Sequence, residues 1–355
     1  MTVNRRRHPR LTINPGPSNA TMRARSTTHT VVTRAPTREG ADSARILRRM
    51  PYSLNVGSED ATRFDAFAEI LTKPRDMVVD VPARHPDWEP APGSTAAEAL
   101  AADLFDPRLN RALVHLPRSV CSLYLRVAAD YLAGISALLR TREIMFAPGA
   151  LARAAFENAV RGVLVVDPRA ETPKHVARAL LDELASAHFE RLTNKHLFGK
   201  ADPAFTSADR MFAALCDLAN GAFADLSLAD DPHKWHIEGE HFLRMNAAAA
   251  SWSDLRAKWL GLSLTAVEAE GYYDHLCLYT HPQGFASRKE ADWGPHVEVA
   301  GFRTNSAQVI AVVYGALAAT MDCAMFLYGY HGWDAPEIDQ IAVATAEVWQ
   351  MIDRE

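Results

Sequence analysis

The residues best suited to chemistry lie at the end of one predicted helix, between Gly271 and Pro282. Asp274 and His281 are seven residues apart, so a continuous helix would place them on one face, two turns and about 10 Å apart. A helix carboxyl end favours the protonated imidazole, which suits His281 to proton transfer near neutral pH. Two interpretations stay open, because a helix-terminal histidine can also simply hydrogen-bond the last free carbonyl groups.

A second predicted helix carries a charged stripe. Arg153, Glu157 and Arg161 recur at four-residue spacing and therefore share one helix face. One interpretation is a solvated face with ion pairs along the helix. The other is a partly buried network against Asp274 or His281, because the flanking alanine, valine and phenylalanine residues leave little room for a wide polar face.

The polar segment 230–241 contains residue types that bind divalent metals. These are His233, His236, Glu238, Glu240 and His241. Their spacing fits no strong metal motif, so the segment is interpreted as a polar loop with incidental histidines, and neither a metal nor another cofactor is predicted. The sequence also has no phosphate-binding glycine loop and no nucleophile elbow, so nucleotide-binding folds and serine hydrolases have no support.

Composition places these residues in a folded protein. The 355 residues are 48% hydrophobic and 23% charged, which excludes a wholly disordered chain, a collagen and a small disulfide scaffold. The net charge of −5 hides an asymmetry, because residues 1–50 contain eleven arginines and only two acidic residues, whereas the rest of the chain is acidic. An acidic body disfavours nucleic acid or anionic lipid over its whole surface, so any site for a polyanion must be a local pocket.

The four cysteines point to a reducing compartment. They lie far apart in apolar helical patterns and form no CxxC pair, which excludes a zinc ribbon and a thioredoxin motif. Such cysteines usually act as small buried hydrophobic residues. We therefore predict a cytoplasmic protein with free thiols.

Residues 1–50 are predicted to form a disordered, arginine-rich tail, because they hold too little apolar surface to offset the entropy lost on ordering. Three interpretations are open: a basic arm for nucleic acid, a transit-type peptide, or a passive tail translated from an early start codon, with Met50 as the true start. Residues 51–95 are predicted to contain a short helix over 61–71 and then an extended, proline-rich strap.

From residue 96 to 355 the spacing of apolar residues predicts an all-α, multi-helix bundle. Helices are predicted over 117–142, 148–166, 172–196, 207–223, 265–281, 305–330 and 334–352. Residues 307–327 are long enough to cross a bilayer. They are rich in alanine and contain Asp322, which insertion scales penalise by about 3 kcal/mol, so we predict a core helix and no membrane contact.

The chain resembles a known superfamily in part. An Arg–Glu helix, several intervening helices and a late helix ending Tyr273-Asp-His-x-x-x-Tyr-x-His281-Pro resemble bacterial proteins related to the HEPN superfamily of defence and toxin ribonucleases. The resemblance covers residues 117–282. In that superfamily an Arg-x(4–6)-His motif cleaves RNA, and His281 occupies the histidine position. Residues 274–276, where the arginine would stand, contain none, so the guanidinium would come from another helix.

This resemblance implies a metal-independent ribonuclease-like activity in defence or stress. His281 would transfer a proton, Arg153 or Arg161 would hold a phosphate group, and Glu157 would orient them, with Asp274 on the same face. The implied partner is RNA or another protein, and the relatives often form homodimers. The alternative hypothesis is a non-catalytic helical interaction protein, in which the polar stripe only fixes core packing.

Overall fold

Ten α-helices account for most of the residues that the structure describes, which confirms the all-α prediction. The computed structural model describes residues 58–102, 104–141, 147–261, 264–280 and 306–352, and all of them belong to one compact unit. The predicted tail at 1–50 lies outside them. The helices are α1 Ser58–Ala83, α2 Thr95–Ala101, α3 Pro107–Thr141, α4 Ala147–Val165, α5 Thr172–Phe198, α6 Pro203–Ala222, α7 Met245–Leu260, α8 Ala266–Cys277, α9 Ser306–His331 and α10 Glu337–Ile352.

Prolines interrupt the helices less than the sequence predicts. Helix α1 continues through Pro74 and Pro82 to Ala83, so the prediction that this segment leaves helical structure after residue 71 is wrong. An interior proline removes one backbone hydrogen bond and costs roughly 3 kcal/mol. Burial of the apolar face of α1, including Phe67 and Leu71, offsets that cost. Residues 84–94, which we call the strap, are not extended throughout, because they contain a 3-10 helix at Pro86–Trp88 and several turns.

The region between α6 and α8 is more regular than predicted. Helix α7 was not predicted, because its opening run of alanines presents no apolar stripe. A small antiparallel sheet also forms, with β1 at Leu226–Ser227, β2 at His236–Ile237 and β3 at Glu240–His241. Strands β2 and β3 are joined by Glu238 and Gly239, both with positive φ, the geometry of a two-residue hairpin turn.

Helix α8 begins as predicted and ends earlier. Thr265 and Glu268 form the predicted capping box, with each side chain bonded to the other residue's backbone N–H. The helix ends at Cys277, and residues 278–280 form a turn. The predicted helix over 265–281 is therefore shorter than expected, and residue 281 lies outside the described residues.

Helix α9 forms the centre of the main hydrophobic core. It packs against α4, α3 and α1, and its buried side chains include Ile310, Val313 and Leu327. Two described segments, Leu109–Thr141 and Ala307–His331, are long and apolar enough to cross a membrane by length and composition alone. The second is 78% buried within the folded chain, so packing in the core accounts for its apolar character.

The first and last described helices pack on each other. The Arg63 guanidinium donates a hydrogen bond of 3.2 Å to the carbonyl oxygen of Met351 in α10. At the other end of the contact, Arg84 forms a 2.9 Å ion pair with Glu337. Residues at opposite ends of the described chain therefore close one side of the bundle.

The strap is held on the carboxyl end of α9 by aromatic stacking. The Trp333 indole donates a hydrogen bond of 2.9 Å to the carbonyl oxygen of Glu89, and it stacks on His85 with ring centroids 4.3 Å apart. His331 stacks on the same indole at 4.4 Å and is only 2% exposed. Neither ring nitrogen of His331 has a hydrogen-bond partner in the described part of the chain.

This environment makes His331 a source of acid sensitivity. Burial, with the nearby charges of Arg118, His85 and His115, lowers the pKa of His331 to about 3. A histidine whose pKa is lower in the folded state binds fewer protons there than in the unfolded chain. His331 therefore does not reduce the free energy of unfolding at a pH above its unfolded pKa. As the pH falls below that value, the unfolded chain binds a proton that the folded protein does not, and the free energy of unfolding decreases.

We expect His331→Phe to remove this sensitivity, because phenylalanine keeps a stacking ring and cannot be protonated. Between pH 7 and pH 5 the free energy of unfolding of the wild type should fall by about 2 kcal/mol more than that of the variant. Urea unfolding of both proteins at the two pH values measures this difference, in which any change of packing common to both pH values cancels. Parallel pH profiles for the two proteins would contradict the assignment.

Candidate functional site

The predicted charged stripe begins with a cluster that joins α4 to α8. The Arg153 Nε donates to Glu157 Oε1 at 2.8 Å, and its Nη2 donates to the Tyr273 hydroxyl at 3.3 Å. Tyr273 in turn donates to Glu157 Oε1 at 2.9 Å. Three side chains from two helices, distant in sequence, thus form a closed ring of hydrogen bonds. We call Arg153, Glu157, Tyr273 and Thr280 the Arg153 cluster.

The same guanidinium reaches the turn that follows α8. Arg153 Nη1 donates a hydrogen bond to the Thr280 hydroxyl. Thr280 precedes His281 directly in the chain. His281 itself, the predicted proton-transfer residue, lies outside the described residues.

Aromatic packing beneath the cluster fixes the position of α8. Phe156 is fully buried and makes an edge contact with Tyr272, with ring centroids 5.1 Å apart. It also lies against Tyr273 at 6.3 Å. Because Phe156 and Glu157 are neighbours on α4, this packing sets the distance from which Tyr273 reaches the carboxylate.

The cluster is charged, strongly hydrogen-bonded and still accessible. Burial opposes the charge on Arg153, but hydrogen bonds to Glu157 and Tyr273 raise the pKa of its guanidinium above the usual range. Burial, followed by the hydrogen bond to Glu157, raises the pKa of Tyr273. The side chains of Arg153 and Glu157 remain 22% and 30% exposed. Of the five N–H groups of Arg153, two have no partner within the described ranges and can bind an anion.

The other two predicted site residues lie elsewhere. Asp274 accepts a hydrogen bond of 3.0 Å from Asn246 of α7, so its carboxylate faces a different helix. Arg161 forms a 3.1 Å ion pair with Asp182 of α5. The stripe therefore contacts two different helices: α4 turns Arg153 and Glu157 towards α8 and Arg161 towards α5.

Of the histidines in segment 230–241, His236 and His241 are neighbours across β2 and β3, with ring centroids 5.6 Å apart. His236 pairs with Asp225 at 3.2 Å, and His233 stacks on Phe242. Glu240 points to Arg178, with which it forms a 2.6 Å ion pair. Within the residues that the structure describes, no three histidine, cysteine or acidic side chains could hold a metal ion together.

Sequence reasoning missed a second charged group, at the junction of α4 and α5. Asp167 binds the guanidinium groups of Arg169 and Arg178, at 2.8 and 3.2 Å. Arg169 also reaches Asp254 on α7, and Arg178 reaches Glu240 on β3. The paired residues are separated by 2 to 85 positions in the sequence, so no local pattern indicated this network. In the sequence, Asp167-Pro168 indicated only where a helix ends.

The network lines one side of a partly open cavity of about 200 Å³ beside Arg161. Asp167 is one of the lining residues. Although burial opposes ionisation, the hydrogen bonds from Arg169 and the charge of Arg178 lower the pKa of this carboxyl. The structure thus contains two charged sites on α4, the accessible Arg153 cluster and this partly open cavity. No protein-family model matches the chain, and searches of curated proteins and of solved structures give no significant match.

Proposed function

We propose that this chain is a metal-independent, RNA-cleaving protein of the HEPN type that acts in the cytoplasm. The observation that supports the proposal is the hydrogen bond from Arg153 to Thr280, the residue directly before His281. The missing arginine of the Arg-x(4–6)-His motif would thereby be supplied from α4 rather than from the residues just before the histidine. In this proposal the guanidinium and the imidazole of the motif come from two separate parts of the chain.

Arg153, Glu157, Tyr273 and His281 each have a role in such a reaction. The two remaining N–H groups of Arg153 hold a phosphate and stabilise the charge that develops on its oxygen atoms. Glu157 and Tyr273 fix the plane of the guanidinium. His281 exchanges a proton with the ribose hydroxyl that attacks the phosphate or with the leaving oxygen.

The test is cleavage of a fluorescently labelled RNA by the full chain in the presence of a metal chelator. We expect activity in the wild type and a loss of about a hundredfold in His281→Ala, the size typical of a lost proton-transfer group. Arg153→Lys should show a comparable loss, because lysine keeps the charge but cannot form the planar, forked contact with phosphate.

The control is His233→Ala, which removes an exposed histidine between β1 and β2 and should leave the cleavage rate unchanged. Thermal unfolding of every variant separates loss of activity from loss of fold. A wild type that cleaves no RNA, or a folded His281→Ala variant that retains the full rate, would reject the proposal.

One observation favours the alternative of a non-catalytic interaction protein. Arg153 and Glu157 already satisfy each other and Tyr273, and this arrangement by itself fastens α8 to α4. In that case Arg153→Lys should lower the unfolding temperature while no RNA cleavage is detected in any of the proteins. The same set of measurements therefore distinguishes the two functions.

A further inference from the structure

The cavity beside Arg161 has the composition of an anion-binding site. Its charged lining consists of Arg161, Asp167, Arg169, Arg178, Asp182 and Glu240. Three guanidinium groups therefore surround a space of about 200 Å³, equivalent to roughly seven water volumes. Apolar side chains such as Leu164 and Leu243 complete its wall.

Two of the three arginines keep one terminal nitrogen, Nη2, with no hydrogen bond to any described residue. Arg161 uses one of its five N–H groups, in the bond to Asp182, and no other partner is found among the described residues. Arg178 donates from Nε and Nη1 to Glu240, Leu164 and Asp167, which leaves both protons of its Nη2. Arg169, by contrast, is bound to carboxylates through Nε and both terminal nitrogens.

Packing holds the Arg161 guanidinium in place before any ligand arrives. It lies over the ring of Phe242, with its central carbon 4.4 Å from the ring centroid. Its side chain is 20% exposed, although it belongs to the inner face of α4. A planar guanidinium that is fixed on an aromatic ring loses little entropy when it binds a planar or tetrahedral oxyanion.

The opposing carboxylates do not cancel this positive charge equally. Asp167 and Glu240 are engaged with Arg169 and Arg178, whereas Asp182 is the single ion-pair partner of Arg161 in the described part of the chain. Burial raises the pKa of Asp182 to about 6, against the effects of Arg161 and of a hydrogen bond from Tyr124, and Glu183 adds to the rise. An oxyanion that binds Arg161 therefore competes with a carboxylate whose negative charge is disfavoured by burial.

We infer that this cavity binds a small molecule through a carboxylate or phosphate group held by Arg161 and Arg178, with its apolar part against Leu164 and Leu243. The cavity is separate from the Arg153 cluster, so this inference does not depend on the proposed RNA cleavage. Carboxylates and phosphates share the chemistry that a guanidinium recognises, and the test includes a probe for each.

Isothermal titration of the full chain with inorganic phosphate and with benzoate, at constant ionic strength, tests the inference. We expect binding of at least one probe by the wild type and about tenfold weaker binding by Arg161→Lys, which keeps the ion pair but loses the fork. Asp182→Asn should strengthen binding several-fold, because it removes the competing negative charge and retains a partner for Tyr124. Opposite effects of the two variants cannot arise from general destabilisation.

The matched control is Arg75→Lys, which changes an exposed arginine that pairs with Asp130 on the surface and should leave binding unchanged. Binding of phosphate alone, of benzoate alone or of both supports the site and identifies the chemical group. The inference is overturned if the wild type binds neither probe at about 10 mM. It is also overturned if Arg161→Lys and Arg75→Lys have the same affinity as the wild type.

Discussion

Replacement of Asp322 with alanine should lower the free energy of unfolding by about 3–5 kcal/mol, the size expected when one member of a buried ion pair is removed. Asp322 is 5% exposed in the middle of α9. It accepts a hydrogen bond of 2.8 Å from the Trp252 indole, and its carboxylate lies 2.9 Å from the Arg256 Nε. Alanine would leave both of these α7 groups without their partner in a dry part of the core.

The size of this effect depends on burial, which a matched exposed pair can test. Asp130 also pairs with an arginine, Arg75, at 3.3 Å, but the two side chains are 68% and 64% exposed. Asp130→Ala should change the free energy of unfolding by less than about 1 kcal/mol, because water screens an exposed pair. Urea unfolding at pH 8, above the pKa of about 6 to which burial raises the Asp322 carboxyl, measures both variants with the pair ionised. Equal losses for Asp322→Ala and Asp130→Ala would refute the argument.

Replacement of Gly162 with valine should lower the free energy of unfolding by about 3 kcal/mol, at the upper end of the usual cost of overpacking a core. Gly162 in α4 faces the thiols of Cys121 in α3 and Cys323 in α9. A Cβ atom at this position would stand 2.5 Å from the Cys323 sulfur and 3.3 Å from the Tyr124 Cβ. The sulfur atoms of Cys121 and Cys323 are themselves 3.7 Å apart and buried, so they have little room to move.

The control for this prediction is a glycine in a similar helix with free space around it. Gly271 lies in α8, and a Cβ atom there would meet no atom within 4 Å. Gly271→Val should be neutral or slightly stabilising, because valine is a better helix former than glycine. Thermal or urea unfolding of both variants provides the comparison, and a Gly162→Val variant as stable as the wild type would show that the three helices can separate without loss.

Much of the helical architecture follows from local patterns. The capping box at Thr265 and Glu268 and the apolar run of α9 are signals within a few turns of chain, and both are present in the structure. Local rules failed where tertiary packing outweighed them. Pro74 stays inside a helix because the face of α1 is buried, and α7 forms although its first turns carry no apolar stripe.

The candidate site was only partly predictable for the same reason. Four-residue spacing placed Arg153, Glu157 and Arg161 on one helix face, but it could not show that this face contacts two different helices, α8 and α5. The partner of Arg161, Asp182, lies in α5 on a helix that shows no local sign of a polar contact. The cavity network was invisible to sequence reasoning, because it is assembled from separate elements whose meeting depends on the complete fold.

The contact between α1 and α10 has a consequence for the newly made protein. Helix α1 leaves the ribosome among the first of the described elements, and the surface that receives it is completed only when Glu337 and Met351 have been synthesised. Before that, α3 and later α9 can shield only part of its apolar face. Translation of more than two hundred residues separates these events, so the nascent chain is a natural client for chaperones that bind exposed hydrophobic helices.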